Sequence, residues 1–265
     1  MNRIEKRFID LRADGQKGFV AYIGAGDPTL VATEALAIAL DQAGVDVLEL
    51  GVPFSDPLAD GLVNQLSAQR GLASGTTPED VLKTVAAIRK KSEVPIVLYI
   101  YFNLLHHRGL QAFIKDAAAA GVDGLLALDL PPEEADEYEA MMNAAGLCSI
   151  WLVAPTTPPG RIADITSRGS GFIYYISREG VTGMQQTVSD SIAERTGLIR
   201  DTTDLPIAVG FGISNPEQAR QVAANSDAIV VGSAIVNRVA ELGDAPDMPG
   251  KVAKYVRGLV EAIRD

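Results

Sequence analysis

Ala43-Gly-Val-Asp-Val-Leu-Glu-Leu50 returns along the chain as Ala120-Gly-Val-Asp-Gly-Leu-Leu-Ala127 and, more faintly, as Ala224-Asn-Ser-Asp-Ala-Ile-Val-Val231. In each copy a Gly or Asn ends a helical segment in a left-handed turn, and the chain then enters an apolar strand. Any helix that turns into a buried strand converges on this figure, so it defines an αβ unit whether or not the copies share an origin. Outward from these copies the same alternation runs from end to end. Strands are predicted at 19–23, 45–50, 96–100, 124–128, 149–153, 172–176, 207–209 and 228–231. Helical spacing fills 30–43, 81–91, 110–120, 133–145, 161–168, 192–199 and 216–224, with a last helix from about 251 to 263. Near-continuous apolar strands separated by helices indicate a parallel sheet covered on both faces. Eight such units in 265 residues predict a closed (β/α)8 barrel, the TIM barrel, rather than an open sheet. Ile4, Phe8 and Leu11 share one helical face ahead of the first strand, which predicts an extra N-terminal helix plugging the barrel bottom. No linker or low-complexity tract interrupts the pattern, so residues 1–265 read as one domain.

Composition narrows the function. Apolar residues make up 47%, enough for a large core, and the net charge of −11 comes with no basic tract. That balance argues against nucleic acid and anionic membranes as partners, and an anionic substrate would need local binding devices. Cys148, the single cysteine, sits in an apolar run and reads as a buried thiol; a disulfide within the chain is impossible. The N-terminus lacks an apolar signal core and the longest apolar run, 94–102, is too short to span a bilayer, which predicts a cytoplasmic protein.

Chemistry concentrates in Leu48-Glu-Leu-Gly-Val-Pro-Phe-Ser-Asp-Pro-Leu-Ala-Asp60-Gly. Alternation puts Val45, Val47 and Glu49 on one face and Asp46, Leu48 and Leu50 on the other. Glu49 then points inward near the strand's C-terminal end, where barrel enzymes carry their chemistry. A glutamate on such an apolar strand costs several kcal/mol to bury unless it is used or paired with a Lys or Arg. Asp60 reads either as a second acid or as the N-cap of a helical pattern at 62–72. Two acids in such different settings can hold different protonation states, which acid–base catalysis requires. Pro53 and Pro57 stiffen the intervening loop, leaving Val52, Phe54 and Leu58 to cover a ligand, dock a partner or pack into the core. Gly210, Gly212 and Gly232 follow the last two strands, with a short helix expected after Gly232. They suit a phosphate site, or simply tight turns. The segment 177–187, hinged by Gly180 and Gly183, reads as a closing lid or an ordinary surface loop. His106-His107 reads as a solvated turn without partners at metal spacing, so no metal site is predicted, and Trp151, Met141 and Met142 read as core.

These motifs together resemble the tryptophan synthase alpha subunit family nearly end to end. The resemblance rests on Phe19-Val-Ala-Tyr-Ile-Gly-Ala-Gly-Asp-Pro28, the Leu48–Gly61 stretch, Ser177-Arg-Glu-Gly-Val-Thr-Gly183, Gly210-Phe-Gly-Ile-Ser214 and Gly232-Ser-Ala-Ile-Val236. It implies retro-aldol cleavage of indole-3-glycerol phosphate to indole and D-glyceraldehyde 3-phosphate. By this resemblance Glu49 moves protons and Asp60 stabilises the indole N–H. Tyr22, Tyr174 and Phe211 match the pocket, Thr182 the lid, and Gly183, Gly212, Gly232 and Ser233 the phosphate contacts. Pro53, Phe54, Asp56, Pro57 and Leu58 match the surface that meets a beta subunit in an alpha2-beta2 heterotetramer. No cofactor is implied in this chain; pyridoxal phosphate is implied in the beta partner. The chain departs from the family pattern at Gly24 (usually threonine), Leu62 (usually proline), Asn64 (usually aliphatic) and Tyr99 (usually smaller and apolar).

Three other readings compete. Indole-glycerol-phosphate synthase is another phosphate-binding barrel, but such enzymes lean on a strand-end lysine and the predicted strands contain none. A non-catalytic activator of a beta subunit would have no need of a buried Glu49. A stand-alone lyase that releases indole would work without the partner.

Overall fold

The computed structural model describes residues 1–176 and 185–264, and for 185–190 the backbone only. Its strands are β1 Gly18–Gly24, β2 Val47–Gly51, β3 Ile96–Ile100, β4 Gly124–Ala127, β5 Cys148–Ser149, β6 Trp151–Val153, β7 Ile173–Ile176, β8 Ile207–Gly210 and β9 Ala228–Val231. They pair in the order β5-β4-β3-β2-β1-β9-β8-β7-β6, every pair parallel. The eight-strand expectation needs one correction, because the run at 149–153 breaks at Ile150. Its first half pairs with β4 and its second half with β7, so this one segment hands the sheet from one neighbour to the other. The Ile150 N–H still bonds to Leu125 O at 3.0 Å. The result is the TIM barrel that the αβ repeat predicts.

Period-two alternation sorts the strand residues into two shells. Val20, Val47, Val97, Leu126, Ile150, Phe172 and Ala208 fill the barrel, while Phe19, Ala21, Leu48, Leu50 and Leu98 pack outward under the helices. Val45 is corrected: it precedes β2 and packs in the outer shell rather than sharing the face of Val47 and Glu49. Helix Arg3–Ala13, begun by a capping box of Asn2 and Glu5, buries Ile4, Phe8 and Leu11 against the inner shell. Phe8 meets Phe172 at 5.6 Å between ring centroids, so the barrel floor is closed by side chains. Cys148, Trp151 and Met142 are buried, and Met141 is partly so.

Most predicted helices stand, with shifts that their caps explain. Thr77 caps a helix that starts at Pro78, three residues ahead of the apolar pattern. The segment predicted at 133–145 opens with a 3-10 turn at Pro132–Glu134 before helix Asp136–Ala145. His106 and His107 are corrected from a turn to the helix Phe102–Arg108. Its start is fixed from afar, by the Phe102 N–H bonding to Asp129 Oδ1 at 2.6 Å, a signal absent from the local sequence.

Asp46 ties both ends of the chain to the barrel floor. Its buried carboxylate accepts from Arg7 Nη2 at 2.5 Å, Arg264 Nη2 at 2.9 Å and the Phe19 N–H at 2.7 Å. Removing it would leave a buried N–H unpaired and two guanidinium groups without their anion, though both remain partly in water. The expected loss for Asp46→Ala is about 2–3 kcal/mol, read from the urea midpoint at unchanged m-value. A loss under about 0.5 kcal/mol, the level of an ordinary surface change, would contradict this assignment.

Candidate active site

At the C-terminal ends of the strands the barrel opens into a cavity of about 340 Å³. Glu49 reaches it because it is the second inward position of the five-residue β2, two residues before the strand's end at Gly51. Tyr22 of β1 and Val97 of β3 stand level with Glu49 in the ladder. The glutamate is 1% exposed. Among the described residues neither Oε1 nor Oε2 has a hydrogen-bond partner. Burial, helped by the negative charge of Asp60, pushes its carboxyl up to about 8 from an ordinary 4.5. At neutral pH Glu49 therefore mostly carries its proton, which no Lys or Arg partner would allow.

Asp60 sits in a different environment, at the end of the loop braced by Pro53 and Pro57. Tyr99 Oη donates to Oδ1 at 2.7 Å and Tyr101 Oη donates to Oδ2 at 2.8 Å. Tyr101 Oη also accepts the Ala59 N–H at 2.9 Å, and its ring packs on Phe54 at 5.1 Å. One phenol thus fixes both the loop backbone and the carboxylate. Helix Leu62–Ala73 begins from Gly61 with no side-chain cap bond, so the N-cap alternative for Asp60 does not hold. Burial keeps the phenols of Tyr22, Tyr99 and Tyr174 protonated well above their ordinary range, with nearby carboxylates adding to the effect.

Tyr22, Glu49, Asp60, Tyr174, Phe211, Gly212, Gly232 and Ser233, singled out from sequence, all line this one cavity. Thr182, Gly183 and residues 177–184 of the lid segment lie outside the described residues. Gly212 has φ +64°, a conformation that favours glycine. Gly232 precedes helix Ser233–Leu242 without a side-chain cap, and the first-turn N–H groups of Ser233 and Ala234 come before the helix's first internal bond. The described lining contains no Lys or Arg, so these N–H groups and the helix dipole are its anion-binding devices.

The loop separates into two faces. Of the alternatives for Val52, core packing holds: its side chain joins the outer shell while its N–H bonds to Tyr99 O at 2.9 Å, so it neither covers a ligand nor docks a partner. Pro53 is buried, Phe54 and Pro57 are half-buried, and Asp56 is exposed. Leu58 is 92% exposed. The departures also find their places. A Cβ on residue 24 would lie 2.2 Å from Ser67 Oγ, so Gly24 leaves room for the hydroxyl that bonds Asp27. Leu62 occupies the first helical position, where a proline would lose no bond. Tyr99 and Asn64 both approach Asp60.

Tyr101 is the residue that sequence reasoning missed. It has the same parity as Val97 and Tyr99, one step past the end of β3, and that parity was the available signal. Among the described residues no three His, Cys, Asp or Glu side chains gather as a metal ion requires, and no helix is long and apolar enough to cross a membrane.

The family model described as tryptophan synthase alpha chain matches residues 8–263. The tryptophan synthase alpha chain of Opitutus terrae is 53% identical over the full length of both chains. That of Geobacter sulfurreducens is 48% identical over 99% of each. The crystal structure of tryptophan synthase subunit alpha from Legionella pneumophila superposes with a TM-score of 0.92 at 38% identity, over 99% of this chain and 98% of that one.

Glu49 also couples the site to stability. Between about 4.5 and about 8 the folded state holds a proton on Glu49 that the unfolded chain has released, so stability falls as pH rises through that window. Below 4.5 the group contributes no pH dependence. Glu49→Gln removes the charge to be buried and is expected to be more stable than the parent by about 2–4 kcal/mol at pH 9, and near-equal at pH 4.5. Urea unfolding of both proteins at the two pH values checks this; parallel pH curves would contradict it.

Proposed function

The chain belongs to the tryptophan synthase alpha chain family, and from that premise we propose that Glu49 and Asp60 divide the work of its reaction between them. It is a lyase of L-tryptophan biosynthesis that cleaves indole-3-glycerol phosphate to indole and D-glyceraldehyde 3-phosphate. Cleavage requires the indole C3 to become tetrahedral and the adjacent side-chain hydroxyl to lose its proton. Protonated Glu49 donates to C3, and positive charge develops on the indole nitrogen. Asp60 accepts the N–H hydrogen bond and stabilises that charge. The Glu49 carboxylate then takes the hydroxyl proton. The C3–C bond breaks as the aldehyde carbonyl forms, and its electron pair restores the indole ring. Glu49 ends protonated, as it began, so the proton circuit closes within one carboxyl group.

The observation that carries this reading is a desolvated carboxyl, without a hydrogen-bond partner among the described residues, in the same cavity as an acid gripped by two phenols. Tyr22, Tyr174 and Phe211 supply apolar walls for the bicyclic ring. Gly212, Gly232 and Ser233 hold the phosphate through backbone N–H groups; the family resemblance gives Gly183 the same role and Thr182 a place in the lid, and both lie outside the described residues. This proton circuit calls for no cofactor in the chain itself.

A tryptophan synthase alpha chain implies a beta partner, and structures of tryptophan synthase from M. tuberculosis superpose at a TM-score of 0.90 and 31% identity over the whole chain. We assign the beta-facing surface to Pro53, Phe54, Asp56, Pro57 and Leu58, in an alpha2-beta2 heterotetramer whose beta subunits carry pyridoxal phosphate. The near-complete exposure of Leu58 on a braced loop supports that assignment. We take residues 1–265 as one barrel domain, since Asp46 binds arginines from both terminal helices, and we assign it to the cytoplasm as a member of a biosynthetic enzyme family.

Indole release by Glu49→Gln and by Asp60→Asn is expected to fall by about a hundredfold or more in kcat. The parent's kcat/KM should decline above a pH of about 8, as free Glu49 loses its proton. Near-parental activity in Glu49→Gln would refute the assignment.

A further inference from the structure

Asp60 is held by more than the loop that carries it. Both of its oxygens accept a phenol, Oδ1 from Tyr99 at 2.7 Å and Oδ2 from Tyr101 at 2.8 Å. Asn64 Nδ2 stands 3.5 Å from the same Oδ1, at the limit of a hydrogen bond. Gln65 Nε2 donates to the Asp60 backbone carbonyl at 2.9 Å. Tyr99 is itself rigidly placed: it is buried, stands opposite Gly51 in the ladder, and packs edge-on against Tyr22 at 5.0 Å with an interplanar angle of 71°. Its hydroxyl thus reaches Asp60 from a strand rather than from a loop, and sites carried on strands hold their geometry better.

We propose that Tyr99 is a positioning residue for the cleavage, one that fixes the plane of the Asp60 carboxylate; this rests on the role given to Asp60 above. A carboxylate has about four lone-pair directions. With one phenol on each oxygen, two of those directions are taken and the carboxylate can no longer rotate about its Cβ–Cγ bond. The carboxylate is thereby fixed in the wall of the cavity that Tyr99 and Asp60 both line, and Asn64 Nδ2, at 3.5 Å from Oδ1, is the weakest of its donors and the one an incoming donor would displace. A donor arriving there, such as the indole N–H, meets an acceptor that needs no reorientation as positive charge develops. The donation from Tyr101 alone would leave the carboxylate hinged at Oδ2. Asn64 assists from the helix side, and among the described residues its own Oδ1 is buried without a partner.

The test is steady-state indole release by Tyr99→Phe and Tyr99→Leu, with Asp60→Asn assayed beside them. Tyr99→Phe keeps the ring against Tyr22 and removes only the hydroxyl. Losing a hydrogen bond to a charged group is expected to lower kcat by on the order of tenfold while KM stays within about twofold. Tyr99→Leu, which keeps an apolar side chain on β3, is expected to show the same fall in kcat and a raised KM from the lost wall. It decides the matter should Tyr99→Phe fail to fold. A kcat within about twofold of the parent in the folded variant overturns the proposal, as does a loss carried by KM alone in Tyr99→Phe. An active Asp60→Asn would instead overturn the role of Asp60, whereas an inactive Asp60→Asn beside an unimpaired Tyr99→Phe would sink only the inference about Tyr99.

Discussion

A carboxyl group inside a barrel, with apolar neighbours and no donor among the described residues, holds a proton at neutral pH. Everything else at the catalytic face serves or tolerates that condition. Water would stabilise the carboxylate and return Glu49 to the range of an ordinary acid, so the walls must be dry. Tyr22 and Tyr174 supply those walls, and both keep their own protons. Dryness destabilises the fold above neutrality, which makes Glu49 a place where stability is given up for chemistry.

The second acid is built by an opposite strategy. Among the described residues Glu49 has burial without partners, whereas Asp60 has partners with less burial. Phenols from the end of β3 reach across to the loop after β2, so adjacent βα units hold the two acids in one frame. The floor of the barrel carries none of this chemistry. There, Asp46 and the Phe8–Phe172 contact secure the terminal helices and the inner shell. This division between a chemical rim and a structural floor is the ordinary logic of the fold.

Strand parity made much of this legible before any coordinates. It turned Glu49 inward and assigned Leu48 and Leu50 to the helix layer, while helical spacing sent Ile4, Phe8 and Leu11 to the floor. It failed where the cause lay at a distance. Nothing local marks the break at Ile150, because that break reflects which neighbour each half of the segment pairs with. The helix at Phe102 depends on Asp129, and Val52 is buried by packing that its proline neighbours do not announce. Tyr101 escaped notice because an aromatic at a strand end reads as core until the loop it touches is known. The departures at Asn64 and Tyr99 stood out against the family pattern, yet only the geometry shows that both approach Asp60.

The account stands or falls on the protonation of one side chain. Labelling glutamates at the side-chain carboxyl carbon with 13C, assigning the Glu49 resonance with Glu49→Gln, and following its shift from pH 4 to pH 10 in the free protein would read it directly. A midpoint near 8 is the result expected from a desolvated carboxyl beside the negative charge of Asp60. A midpoint near 4.5 would mean that water or a cation reaches the group, and the proton circuit built on it would be wrong.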